Sequence, residues 1–194
     1  MLTTTLSDIR ACKPTPGTWK RLLKGLGETR DHKKPLPIER ILEPPNFDDA
    51  LWALRVVKDH DGAIRLFVCY CARYVLDIFE REYPGDKRPR EAIEMAERFV
   101  RGQATHEELA AARDSVLAAV AVQDLDAAKL AAYAAVETAR DAVGRAAKDI
   151  VDIAGQSTAW AFGDTAWETA LDDFKHEFIS LCRLEGEYAA FRKI

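Results

Sequence analysis

The 194-residue chain is 48% apolar and 31% charged, the proportions of a folded globular protein rather than a disordered one. Its net charge of −4 argues against a dedicated DNA binder, which needs a basic stripe to displace phosphate counterions. The opening MLTTTLSDIRACK lacks a cationic segment followed by an apolar one, and no run approaches the roughly 18 apolar residues of a membrane span, so a cytoplasmic protein without a membrane segment is expected.

Charge is distributed unevenly. Residues 1–40 carry nine Lys/Arg against four Asp/Glu, residues 41–104 ten against twelve, and residues 105–194 nine against sixteen, so the chain runs from +5 through −2 to −7. The four cysteines, Cys12, Cys69, Cys71 and Cys182, are too irregularly spaced for a disulfide framework and read as buried small hydrophobes in a reducing compartment.

Along the chain, two short helices are expected between Leu2 and Leu26, broken by KPTPG, with Trp19, Leu22, Leu23 and Leu26 on one face. A proline- and glycine-rich connector follows, with one short helical turn at IERIL. The next helix starts near Asn46 or Asp48, either of which can cap it, and ends at KDHDG. A long helix from about Asp61 to Tyr83 places Ile64, Phe67, Val68, Cys71, Val75, Ile78 and Phe79 on a core-facing stripe and Arg65, Arg73, Asp77 and Arg81 opposite it.

The segment YPGDKRPREAIEMAERFVRG, Tyr83 to Gly102, forms a corner. Pro84 and Gly85 stop one helix, Asp86 accepts N–H groups of the next, and Pro89 suits its first turn. Cations near a helix N-terminus oppose its dipole, so Arg88 and Arg90 either pair with acids of this chain or meet a partner. Thr105 to Glu108 is a capping box opening a helix through Leu109, Ala112, Val116, Ala119 and Val120. The alanine-rich stretch from Ala110 to Ala147 gives either two helices broken near Gln123 and Asp124 or one rod. A last helix carries Trp167, Leu171, Phe174, Phe178, Leu181 and Tyr188 at the spacing of a bundle seam. No stretch alternates with period two, so the expected fold is an all-α multi-helix bundle, a single helical domain over residues 1–194, with 1–104 and 105–194 as its alternative sub-lobes.

Phosphate-loop, dinucleotide, zinc-protease and nucleophile-elbow motifs are absent, so neither a catalytic site nor a cofactor nor a metal is expected. In DDFKHE, Asp172 and Asp173 lie within reach of His176, but a di-iron bundle needs two carboxylate-x-x-His pairs, so a solvated face with a local Asp–His pair is the reading. His32, His60 and His106 fall in turns and read as capping or exposed residues, while Trp52, Trp160 and Trp167 read as core.

Residues 73–102 resemble the central signature of immunity proteins assigned to bacterial polymorphic toxin systems, the specific part being PGDKRPREAIE. Residues 16–76 are similar to uncharacterised prophage-associated bacterial proteins through the blocks around GTWKRLLKGLG, PLPIERIL and DDALWALR. The first resemblance implies an all-helical binding protein that neutralises a toxin, with no catalytic residues to carry over. The histidines of that family's alanine-rich helices are missing between Glu107 and Lys175, so no role of theirs transfers. The expected partner is a protein, a cationic toxin in the sharper form, met by Arg88 and Arg90 or by the acids off the apolar stripes, Asp149, Asp152, Glu168, Asp172 and Asp173. A helical scaffold or homo-oligomer of phage origin is the alternative, and an unrecognised helical-bundle enzyme the third reading.

Overall fold

In the computed structural model, which describes residues 1–42, 47–121, 126–140 and 143–191, a two-residue strand β1 (Thr3–Thr4) leads into α1 (Leu6–Ala11) and α2 (Pro16–Leu26). Strand β2 (Leu36–Pro37) pairs antiparallel with β1 and runs into a 3-10 turn at Ile38–Leu42, the IERIL segment. α3 (Phe47–Ala53) follows, with Asp48 in its first turn, while Asn46 lies outside the described residues. A 3-10 turn (Leu54–Val56) then precedes α4 (Asp61–Glu82), α5 (Arg88–Val100), α6 (His106–Val120), α7 (Ala127–Thr138), α8 (Val143–Phe162) and α9 (Asp164–Arg183). The expected all-α class is met: helix dominates, and the two short strands are the only ones among the described residues.

Local chemistry sets most of these boundaries. Thr5 and Thr15 cap α1 and α2 by accepting the N–H groups of Asp8 and Thr18. Thr105 and Glu108 form the expected capping box on α6, and Asp126 caps α7 through Lys129 N–H. The alanine-rich stretch is neither one rod nor two helices but parts of three. The break foreseen at Gln123 and Asp124 lies outside the described residues between α6 and α7, and a second interruption separates Thr138 from Val143.

α4 is the centre of the molecule and packs against α5, α7, α8 and α9. All seven residues from Ala63 to Cys69 are buried, so this half of the helix has no solvent face and Arg65 is not on an outer side as expected. Its guanidinium donates to the carbonyls of Thr138, at 2.5 Å, and Arg140, at 3.0 Å. The last carbonyls of α7 have no helical partner, and a cation there meets the negative end of the helix dipole, which explains a buried arginine at this point.

Alanine and glycine let α8 approach closely. A Cβ on Gly144 would lie 2.7 Å from the Cα of Arg55, and one on Gly155 would lie 1.9 Å from the ring of Trp167. Phe174 and Phe178 of α9 are fully buried, Phe178 edge-on to both Phe47 and Phe67. Tyr188, read as part of the last helix, instead sits in a 3-10 turn (Gly186–Phe191) after Leu184 adopts a left-handed φ of 54°, yet it is still buried. Leu2, fully buried, donates its N–H to Cys182 O at 2.7 Å and accepts Ile38 N–H at 3.1 Å.

Three of the four cysteines are buried as expected, and burial pushes their thiols up; Cys12 is exposed because it caps the C-terminus of α1 at the surface. Trp160, expected in the core, is 55% exposed near the end of α8, with Phe162 beside it at 56%. Among the described residues no helix is long and apolar enough to cross a membrane.

Candidate functional site

The corner between α4 and α5 is built as a latch. Asp86 N–H donates to Tyr83 O at 3.0 Å and closes a turn around Pro84 and Gly85. The Asp86 carboxylate then accepts the Arg88 N–H at 3.1 Å and the Arg88 guanidinium at 2.8 and 2.5 Å. Arg90 reaches back one helix and donates both arms to Glu80 at 2.7 and 2.6 Å. The paired guanidinium groups hold both carboxyls below their ordinary range, Arg88 acting on Asp86 and Arg90 on Glu80. Arg73 and Glu97 make a second two-pronged bridge between α4 and α5, at 2.7 and 3.0 Å.

The five acids predicted off the apolar stripes go to different places. Asp149 accepts from Arg140 at 2.5 Å, in a cluster with Glu137. Asp173 accepts the phenol of Tyr74 at 2.9 Å on the α4 side, where burial and that hydrogen bond push the phenol up to about 12. His176 does not pair with an aspartate side chain: its Nδ1 lies 2.9 Å from the backbone carbonyl of Asp172. The helix puts that carbonyl on the ring at i−4 while the carboxylate of Asp172 turns to Lys175, 3.0 Å away. Asp152 lines a cleft between α3, α8 and α9 together with Asp48 and Lys175. Asp172 stands outside that lining and reaches it through Lys175, 3.0 Å away, and exposed Glu168 lies one turn before Asp172 on α9.

That cleft encloses about 580 Å³ above Phe47, Val151, Trp167, Leu171 and Ile179. Lys148 donates to Asp152 at 2.7 Å and stands 3.9 Å from Asp48. Burial opposes the charge on Lys148, but Asp152, with Asp48 and Asp149 near it, outweighs that and raises its pKa. Trp167 and Leu171, read as core, do pack against it as partly buried residues and also line the cleft. The missing side chain of Gly155 seats the Trp167 ring against α8, and a glycine in an alanine-rich helix is the signal that marks such a seat.

A second hollow of about 570 Å³ lies between β1 and the start of α4, bordered by Asp8, Lys58, Asp59 and His60. Asp8 there accepts the Thr5 hydroxyl at 2.7 Å and faces Lys58 at 3.5 Å. The other histidines make ordinary local contacts: His60 stands at the N-cap of α4 without a side-chain capping bond, His32 faces Glu28 at 3.1 Å, and the His106 ring packs edge-on to Phe99. Among the described residues no group of three or more His, Cys, Asp or Glu side chains could hold a metal ion.

Residues 56–123, which span α4, the corner, α5 and α6, match the model of the family described as Imm-5 like putative immunity protein. The match takes in PGDKRPREAIE and the ion pairs of Glu80, Asp86, Arg88 and Arg90, and it points to an immunity role. No curated protein and no solved structure matches the chain.

Proposed function

We propose that this chain is a non-catalytic immunity protein that neutralises a toxin by covering part of its surface. The match of residues 56–123 to the immunity family carries the reading. The paired state of Arg88 and Arg90 favours contact elsewhere than the corner, because a partner would first have to displace Asp86 and Glu80. The excess of acids in residues 105–194 favours a cationic toxin, one whose working surface is built for phosphates, since complementary charge steers encounter. The test is to express each gene neighbouring this one in a heterologous bacterium, with and without this chain. Growth arrest by one neighbour, relieved by co-expression and accompanied by a co-purifying complex, is the expected result; a toxic neighbour left equally toxic overturns the reading.

A homo-oligomeric scaffold is the second reading, favoured by the exposed Trp160 and Phe162. Sedimentation at several concentrations separates the two, since a scaffold self-associates without a toxin.

A further inference from the structure

Apolar floor and acidic rim coincide at one place, the cleft between α3, α8 and α9. Trp167 cannot sink to fill it, because its ring already rests where a Cβ of residue 155 would be. The rim has a definite polarity in depth. The side chains of Lys148 and Lys175 are 30% and 39% exposed, whereas those of Asp48, Asp152 and Asp172 are 71%, 48% and 70% exposed. Both ammonium groups are therefore the inner members of their pairs, and an approaching molecule meets carboxylates first. Asp48 and Asp152 line the cleft against Lys175 alone, and with the pairing partners just outside the lining, Asp172 and Lys148, three carboxylates face two lysines, so the rim is net acidic.

We infer that this cleft receives a segment of a protein partner that presents an apolar side chain flanked by lysine or arginine. The apolar group displaces water from Trp167 and Leu171, and the flanking base joins the outward carboxylates of Asp48 and Asp172. Naming that partner as the toxin rests on the proposed function; the chemistry of the cleft rests on its own residues.

The test pans a displayed library of short random peptides against the full chain and two variants, Leu171→Arg, which blocks the floor, and the double variant Asp48→Lys/Asp172→Lys, which reverses the rim at exposed positions. Circular dichroism and thermal unfolding confirm that each variant is folded, and the rim variant decides if Leu171→Arg is not. The wild type should enrich peptides joining an aromatic or aliphatic residue to neighbouring Lys or Arg, with affinity about ten-fold weaker for either folded variant and falling with salt. Enrichment of acidic or uncharged peptides, or equal enrichment by wild type and variants, overturns the inference. Where a toxin has been identified, equal neutralisation by all three proteins removes the cleft from that contact and leaves the immunity reading standing. If no neighbour is neutralised, that reading falls and the peptide result still decides the cleft.

Discussion

The corner from Glu80 to Arg90 and the cleft between α8 and α9 are both rich in charge, and they use it in opposite ways. At the corner each arginine is held by two prongs to a carboxylate more buried than itself, so charge is consumed in fixing the turn, through Asp86, and in fastening α5 to α4, through Glu80. At the cleft the bases lie inside and the acids outside, over apolar side chains that nothing among the described residues covers. Density of charge in a sequence therefore does not mark a surface for a partner. What separates fastening from recognition is which member of each pair faces water and whether apolar area lies open beside it.

The comparison can be broken first at Arg65, in the buried first half of the α4 helix that the corner ends. Arg65→Ala should lower stability by about 3 kcal/mol in chemical denaturation, because a buried and a part-buried carbonyl lose their charged donor. Arg65→Lys should recover only part, having no planar fork to span both. An alanine variant as stable as the parent would show that α4 does not depend on buried charge. Gly155→Ala comes next, with a loss of about 2 kcal/mol from overpacking and a change in tryptophan fluorescence as Trp167 is pushed toward the cleft. Unchanged fluorescence and stability would mean that Trp167 is not fixed and the cleft can close on itself.

Asp86→Ala should cost about 1 kcal/mol, since it removes the acceptor of the Arg88 N–H as well as the partner of its side chain. Arg88→Ala and Arg90→Ala should cost less, as half-exposed pairs do. If either arginine variant kept its stability but lost a toxin, the corner would join the recognition surface.

A smaller effect is expected with pH. Glu80 and Asp86 have folded pKa values below their ordinary 4.5 and 3.8, so their pairs stabilise the fold above those values and lose that contribution as pH falls through the folded ones. Glu80→Gln should therefore be less stable than the parent at neutral pH, and the two should converge as the pH falls below the ordinary 4.5 and through the lower folded value. A stability gap constant across that range would show that Glu80 acts by packing rather than by charge. The smallest effect on stability belongs to Asp48→Lys/Asp172→Lys, within about 0.5 kcal/mol, because both side chains are largely in water.

What the sequence made legible was what neighbouring residues decide. The extent of α4, the turn at IERIL, the capping box at Thr105 and the stop at Pro84 follow from caps, prolines and periodicity within a few positions. Arg65 was misplaced because its acceptors stand 73 and 75 residues further on, and no local period distinguishes a buried arginine from an exposed one. The interruption after Thr138 has no proline or glycine to announce it, and Trp160 follows the apolar rhythm of α8 while facing solvent. Of the candidate acids, helix phase showed that Asp152 and Asp172 leave the apolar stripe. That Asp152 lines a cleft and Asp172 pairs with its Lys175, while Asp149 turns to Arg140 and Asp173 to Tyr74, depends on how α8 and α9 dock.

The bond from Leu2 N–H to Cys182 O joins positions whose separation is 182 − 2 = 180 residues, and Ala63 to Cys69 of α4 are covered by α7 and α8 from far along the chain. Contacts of such separation carry the cost of closing a long loop, which grows only slowly with length but must be met before the contact stabilises anything. The helices form within about a microsecond, whereas the contacts that join the two ends of the core come later. The consequence is kinetic: folding of this all-helical chain is slower than its helix content suggests, because its core is closed by non-local contacts.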